Sequence, residues 1–194
     1  GLNAMLVDST ALPEQAVRDI LASSFQSAGQ RCSALRCLYV QEDVAETVQE
    51  MLFGAMEEFT LGDPWHLVND IGPVIDAEAQ KAIADYIGAA RLEGRVIKEM
   101  SAPKAGTFIA PTVIRVGGIA DMPREIFGPV LHVATFKASE VDKVVQAVNA
   151  TGYGLTFGLH TRIDDRVQSV TEALHVGNIY VNRNQIGAVV GSQP

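Results

Sequence analysis

Residues 25–36, with the sequence FQSAGQRCSALR, join a helical pattern to a run rich in strand-forming residues. Apolar residues recur at helical spacing before this stretch, and a β-rich run at 36–40 follows it. The turn between them carries Cys32 beside Arg31, where positive charge and free backbone N–H groups favour a thiolate, the nucleophilic form. A free cysteine is more often a small buried hydrophobe, and the turn alone leaves both interpretations open.

Strands and helices alternate on both sides of this turn. Helical patterns begin near Pro13, Asp43, Asp76, Ser139 and Asp164, of which all but Pro13 are predicted N-caps. Strands alternating with helices of about ten or more residues predict a doubly wound α/β fold, a mainly parallel sheet with helices on both faces. The predicted strands lie at 3–7, 36–40, 95–98, 107–116, 131–136, 157–161 and 178–181.

The predicted sheet also indicates where chemistry should lie. In doubly wound sheets ligands bind at the carboxyl ends of the strands, and we expect the site there. No Gly-x-Gly-x-x-Gly follows a predicted strand, so the chain carries no dinucleotide-binding fingerprint of its own.

The composition is that of one globular domain, since 47% of the 194 residues are hydrophobic and 20% are charged. The net charge of −8 makes nucleic acid and anionic membrane surfaces unfavourable partners. No apolar run approaches the ~18 residues that a membrane span needs, and no basic-then-apolar signal segment opens the sequence. We therefore expect neither a nucleic-acid partner nor a membrane span.

Cys32 and Cys37 are too few for a disulfide framework and suit a reducing, cytoplasmic compartment. Cys37 lies inside the predicted strand 36–40 and is predicted to be plain core. Arg31 and Arg36 either lower the pKa of the Cys32 thiol or pair with nearby acids, and we favour the pairing. The four histidines lie far apart, so we expect no metal site.

A series of short motifs resembles the landmarks of the aldehyde dehydrogenase superfamily in their order. The series covers essentially the whole chain, and several ordered matches are far more specific than any one of them. The resemblance implies the family's catalytic (cysteine) domain over residues 1–194, with Cys32 as the nucleophile. The motifs are GQRC (29–32), GDP (62–64), GPVID (72–76), FIAPT (108–112), EIFGPV (125–130), YGL (153–155) and GNIYVN (177–182).

Two stretches, 23–36 and 182–194, are most similar to the 1-pyrroline-5-carboxylate dehydrogenase modules of bifunctional bacterial proline-oxidising enzymes. This resemblance implies NAD-dependent oxidation of L-glutamate γ-semialdehyde to L-glutamate in proline catabolism, through a thiohemiacetal and a thioester on Cys32. It also implies a homo-oligomer. An upstream domain of the same polypeptide would hold most of the NAD site, and a proline dehydrogenase domain would hold FAD.

Five further residues take site roles from the resemblance. Glu125 corresponds to the carboxylate that binds the nicotinamide ribose, and Phe127 to the ring beside the nicotinamide. Ser33 and the backbone of Gly187 and Ala188 correspond to the groups that hold the substrate carboxylate. The residues alone also fit a solvated loop charge at Glu125, a core aromatic at Phe127 and a helix-cap serine at Ser33.

Neither end of the sequence resembles a natural terminus, so we expect a fragment of a longer chain. In the family, the general-base glutamate and the oxyanion-hole asparagine side chain belong upstream of Gly1. We therefore expect the isolated fragment to be inactive. Two other interpretations stay open: a dehydrogenase for another semialdehyde or aldehyde, and a non-catalytic dimerisation or interaction module.

Overall fold

One seven-stranded sheet runs through the molecule, and the computed structural model describes residues 1–193. Pro194, which ends the second of the two stretches above, lies outside the described residues. The strands are β1 (Asn3–Val7), β2 (Leu35–Gln41), β3 (Val96–Glu99), β4 (Thr112–Arg115), β5 (Val130–Phe136), β6 (Thr156–His160) and β7 (Asn178–Val181). Their order is β3-β4-β5-β2-β1-β6-β7, and all pairs are parallel except β3 with β4.

Five helices connect the strands: α1 (Pro13–Phe25), α2 (Ala45–Glu57), α3 (Ala77–Leu92), α4 (Val141–Ala150) and α5 (Asp164–Ala173). The connection β1-α1-β2 runs toward the β3 edge, whereas β5-α4-β6 runs toward the β7 edge. Because parallel crossovers are right-handed, opposite directions place α1 and α4 on opposite faces. This arrangement confirms the doubly wound α/β fold. No helix within residues 1–193 has the length and apolarity to cross a membrane.

The central strands β1 and β2 are buried along their whole length, as expected for parallel strands covered on both faces. Cys37 lies in β2 and is fully buried, so its prediction as core is confirmed. Burial also raises the pKa of its thiol, which keeps the group protonated. Polar residues interrupt the apolar pattern of β1, β2 and β5, and among them Asn3, Arg36 and His132 are buried.

The predicted helix caps are only partly correct. Asp76 caps α3 and accepts a hydrogen bond from the amide of Ala79 at 2.8 Å. Asp43 and Ser139 lie in short 3₁₀ turns before α2 and α4, and neither helix has a side-chain cap. Such a turn leads into the helix without a capping side chain. Asp164 is the first residue of α5 and does not cap it.

The strand predicted at 107–116 is shorter than expected, and its pairing begins at Thr112. Pro111 has no N–H to donate to a neighbouring strand, which explains the late start. The segment before it pairs with a loop instead, since Thr107 exchanges hydrogen bonds with the backbone of Val74 at 2.9 and 2.6 Å.

Candidate active site

The candidate site lies at the amino ends of the central strands, whereas the sequence predicted a site at their carboxyl ends. Cys32 and Ser33 directly precede β2, and Glu125 and Phe127 directly precede β5. The prediction of a site at the carboxyl ends is therefore wrong for these residues.

Buried side chains fill the carboxyl-end crevice between β1 and β6, which explains the difference. Asp8 is 1% exposed and accepts hydrogen bonds from Thr10 at 2.6 Å, from Thr161, and from Arg166 at 2.6 Å. Burial raises the pKa of Asp8, but these hydrogen bonds outweigh it and hold the pKa below its ordinary value. The crevice that holds ligands in many doubly wound sheets is closed here by the protein's own groups.

The turn that carries Cys32 begins with three residues in the left-handed region. Ser27, Ala28 and Gly29 have φ values of 55°, 53° and 67° and reverse the chain at the end of α1. A Cβ atom at Gly29 would lie 2.2 Å from the carbonyl oxygen of Gly128, so only glycine fits there. The cysteine turn therefore lies directly against the backbone of the EIFGPV motif.

Asn3 binds the cysteine turn from the interior of the protein. Its side-chain amide donates to the carbonyls of Cys32 at 2.7 Å and Ala34 at 2.9 Å. Asn3 is 2% exposed, and its own oxygen accepts from the amide of Thr156 at 3.4 Å. One buried amide side chain thus fixes two peptide units of the turn.

The two remaining carbonyls of the turn are also bound by buried side chains. The carbonyl of Ser33 accepts from the hydroxyl of Thr156 at 3.2 Å and from the amide of Gln185 at 3.4 Å. The carbonyl of Arg31 accepts from the Arg36 guanidinium at 3.2 Å. All four carbonyls from 31 to 34 are therefore anchored to the interior.

The amide groups of the turn are left available as a consequence. Within residues 1–193, the N–H groups of Arg31, Cys32 and Ser33 have no hydrogen-bond acceptor. Cys32 itself is exposed. Successive free amides with fixed carbonyls behind them form an electropositive surface suited to an oxyanion.

Arg36 connects the cysteine turn to the EIFGPV motif. Its guanidinium is fully buried and donates to Glu125 Oε1 at 3.3 Å and to the carbonyl of Gly128 at 3.1 Å. It also lies 5.2 Å from the centre of the Phe127 ring. Burial lowers the pKa of Arg36, and the negative charge of Glu125 opposes this shift. The predicted pairing with an acid is confirmed for Arg36. It is wrong for Arg31, which forms no ion pair among residues 1–193.

The surroundings of Glu125 and Phe127 exclude the alternatives of a solvated loop charge and a core aromatic. Glu125 has a side chain that is 23% exposed and pairs with the buried Arg36, so it is not a solvated loop charge. Phe127 is 46% exposed and is not a core aromatic. A cavity of about 190 Å³ opens between these two residues and Ile83 of α3.

The segment after β7 reaches the cysteine turn through Gln185. This residue is fully buried, and its contact with the Ser33 carbonyl places the segment beside Cys32. Ser33 lies in the turn before β2, so it is not a helix cap. Gly187 and Ala188 follow Gln185 and are exposed, and within residues 1–193 their amides have no acceptor.

The sequence did not predict the roles of Asn3 and Gln185, which bind the cysteine turn from the interior, or the relay of side chains that holds Arg36. In that relay, His132 Nδ1 donates to the Arg36 carbonyl at 3.0 Å, and Tyr86 donates to His132 Nε2 at 2.8 Å. Burial lowers the pKa of His132 to about 4, so the ring is neutral near pH 7. The available signal was a polar residue inside an otherwise apolar strand, which holds for Asn3, Arg36 and His132.

Known proteins resemble this chain over its whole length. The bifunctional protein PutA of Klebsiella aerogenes is 52% identical over 202 residues, covering 100% of this chain and 15% of that protein. A crystal structure of bifunctional proline utilization A (PutA) matches with a TM-score of 0.97 and 48% identity, covering 100% of this chain and 20% of that one. The structure of 1-pyrroline-5-carboxylate dehydrogenase from Thermus with bound NAD matches with a TM-score of 0.91 and 34% identity, covering 100% and 38%.

These relatives are longer proteins, and the chain spans 15% of the PutA of Klebsiella aerogenes. The model of the aldehyde dehydrogenase family matches residues 1–194, which is every residue of the sequence. Together with the fold and the exposed cysteine, this match shows that the chain belongs to the aldehyde dehydrogenase family.

Proposed function

We propose that this chain is the catalytic domain of a longer NAD-dependent dehydrogenase that oxidises L-glutamate γ-semialdehyde to L-glutamate in proline catabolism. The observation that carries the proposal is an exposed Cys32 on a turn with anchored carbonyls and free amides. The resemblance to PutA and to 1-pyrroline-5-carboxylate dehydrogenase supports the substrate.

Cys32 is the nucleophile in this proposal. Its thiolate attacks the aldehyde carbon, and the resulting thiohemiacetal oxyanion receives the N–H of Cys32. Losing one oxyanion donor of this kind typically raises a barrier by roughly 3–4 kcal/mol. A soft thiolate also leaves readily when water later hydrolyses the thioester, so one group serves both halves of the reaction.

Glu125 and Phe127 fit the nicotinamide end of NAD. The Glu125 carboxylate can accept from both ribose hydroxyls, and the half-exposed Phe127 ring offers an apolar surface beside them. NAD, when bound, accepts the hydride that leaves the substrate carbon. We assign the rest of the NAD site to another domain of the longer polypeptide, and FAD to a proline dehydrogenase domain of that polypeptide.

Ser33, Gly187 and Ala188 form the proposed grip on the substrate carboxylate. The free amides of Gly187 and Ala188 support this role, because backbone donors bind a carboxylate without a buried countercharge. The contact of Gln185 with the Ser33 carbonyl supports it as well, since it joins the two parts of the grip.

We place the longer enzyme in the cytoplasm as a homo-oligomer. Two free cysteines, one of them exposed, support a reducing compartment. The family resemblance supports the oligomer.

Replacing each cysteine in the complete polypeptide tests the proposal. Cys32→Ala should lower kcat for NADH formation about a thousandfold or more, because no other group attacks the aldehyde. Cys37→Ala is the matched control and should keep kcat while lowering the free energy of unfolding by about 1 kcal/mol. Oxidation by Cys32→Ala at the wild-type rate would refute the nucleophile. A higher kcat/KM for succinic semialdehyde than for the glutamate semialdehyde would refute the substrate.

A further inference from the structure

Helix α1 carries a polar stripe that the mechanism above does not use. Gln15, Asp19 and Ser23 are spaced four residues apart and therefore lie on one face of the helix. Asp19 and Ser23 are 3% and 2% exposed, and Gln15 is partly buried. Buried polar groups on a helix that packs against a sheet need partners, and Gln15 and Ser23 both find theirs in one segment.

Both ends of the stripe bind the backbone of the segment that follows β7. The side-chain amide of Gln15 donates to the carbonyl of Asn182 at 2.8 Å. Two turns later, the hydroxyl of Ser23 accepts from the amide N–H of Gln185 at 3.1 Å. The helix thus holds residues 182–185 at two points.

Asp19 lies between these two points and faces the end of β6. Its Oδ2 lies 3.6 Å from Nε2 of His160, the last residue of β6, and neither atom has a hydrogen-bond partner within residues 1–193. Asp19 therefore lies against the end of β6, while Gln15 and Ser23 bind the segment itself.

The held segment leads directly to the proposed carboxylate grip. Gln185 reaches the Ser33 carbonyl beside the nucleophile, and Gly187 and Ala188 follow it. The same helix ends at the turn that carries Cys32. One rigid element therefore sets both the position of the sulfur and the position of the exposed amides.

We propose that Gln15 and Ser23 are positioning residues that fix the distance between Cys32 and the amides of Gly187 and Ala188. This proposal rests on the proposed function and specifies it further. A fixed distance selects aldehydes by the number of carbons between the aldehyde and the carboxylate. These two residues are then specificity determinants that touch neither the substrate nor the cofactor.

The test compares two neighbouring serines of α1 in the complete polypeptide. Ser23→Ala removes the acceptor of the buried Gln185 amide, whereas Ser24→Ala removes a buried hydroxyl that has no partner within residues 1–193. The substrates are L-glutamate γ-semialdehyde and pentanal, an uncharged aldehyde of the same chain length. The readouts are kcat and KM for each.

We expect Ser23→Ala to raise KM for the glutamate semialdehyde about tenfold, with kcat and KM for pentanal changed less than twofold. Ser24→Ala should behave as the wild type with both substrates. Gln15→Met removes the hydrogen bond to the Asn182 carbonyl at a partly buried position, so it leaves no cavity in the core. It should raise KM for the glutamate semialdehyde and leave KM for pentanal unchanged.

Two outcomes overturn the positioning role while leaving the proposed function intact. One is an unchanged KM for the semialdehyde in both Ser23→Ala and Gln15→Met. The other is an equal loss with both aldehydes in these variants, which would indicate a general structural effect. A wild-type enzyme that prefers pentanal would refute the carboxylate grip itself, and the positioning role with it.

Discussion

One buried charge, the Arg36 guanidinium, holds several parts of the site together. The guanidinium contacts the cysteine turn, the Gly128 carbonyl and Glu125, and none of the Arg36 side chain is exposed. Removing a guanidinium from water is unfavourable unless hydrogen bonds and an opposite charge replace the solvent. Arg36 therefore forces Glu125 and the backbone around it into one arrangement.

Replacing Arg36 should weaken cofactor binding first. Because Arg36 holds Glu125 and Phe127, we expect Arg36→Met in the complete polypeptide to raise KM for NAD about tenfold or more. The KM for the aldehyde should change much less, and steady-state kinetics with each substrate varied in turn measure both. Arg91→Met removes an exposed partner of Glu99 and should alter neither value. Equal increases for NAD and aldehyde would contradict this role.

His132 gives the fold a defined pH dependence. Its folded-state pKa of about 4 lies below the ordinary value of 6.5 because the ring is buried. The unfolded chain therefore binds a proton first as the pH falls, and the free energy of unfolding should drop between pH 6.5 and 4. The expected loss is about 3 kcal/mol, measured by denaturant unfolding across this range.

The control for that profile is His132→Asn, which keeps a donor for the Arg36 carbonyl and cannot titrate. His160, whose pKa is also lowered by burial, contributes in the same direction and remains in both proteins. The variant should be less stable at pH 7 but lose less stability on acidification. A slope equal to that of the wild type would show that His132 is not responsible.

At the scale of elements, three residues of the GQRC motif have a role that the structure explains. Gly29 lies against the carbonyl of Gly128, and Cys32 is the exposed thiol. Gln30 joins the turn to the GPVID motif, since it donates to the Pro73 carbonyl at 3.2 Å and accepts from the Ile75 amide at 2.8 Å. The turn is therefore the meeting point of three motifs that lie far apart in sequence.

Two glycines with similar backbone angles separate the effect of conformation from that of close contact. Gly152 has φ 75° and open space where a Cβ atom would lie, so Gly152→Ala should cost only the left-handed penalty of about 1–2 kcal/mol. Gly29→Ala adds a clash with the Gly128 carbonyl and should destabilise the domain by about 2 kcal/mol more. Denaturant unfolding of both variants gives the comparison. Equal losses would mean that the turn moves away from Gly128 freely.

At the scale of the whole molecule, the amino ends and the carboxyl ends of the strands have different roles. The amino ends of β1, β2, β5 and β6 surround the exposed cysteine. The carboxyl ends of β1 and β6 are joined by the buried Asp8 and its partners. The exposed cysteine and the hydrogen-bonded cluster around Asp8 therefore lie at opposite ends of the strands.

A change at the carboxyl ends of the strands should therefore lower stability without affecting catalysis. Arg166→Met leaves Asp8 with only hydroxyl and backbone donors, and the free energy of unfolding should fall by about 2 kcal/mol. The kcat and KM values of the complete polypeptide should stay within twofold of the wild type at temperatures below unfolding. Chemical denaturation and steady-state kinetics measure the two quantities, and a large fall in kcat would contradict the separation.

The sequence predicted what depends on local pattern. The strand at 3–7 has the predicted bounds, and Asp76 caps α3, because periodicity and capping act within a few residues. The location of the site and the partners of the buried polar residues were not predictable in the same way. Arg36 and Glu125 are 89 residues apart, and a residue pattern reports burial but not which distant group arrives beside it.

The contact between Gly29 and Gly128 joins two motifs through main-chain atoms alone. The cysteine turn and the EIFGPV motif are therefore in direct backbone contact, to which the Arg36 side chain adds hydrogen bonds to both segments. Side chains that take no part in these contacts can be exchanged while the cysteine turn keeps its place against the EIFGPV motif.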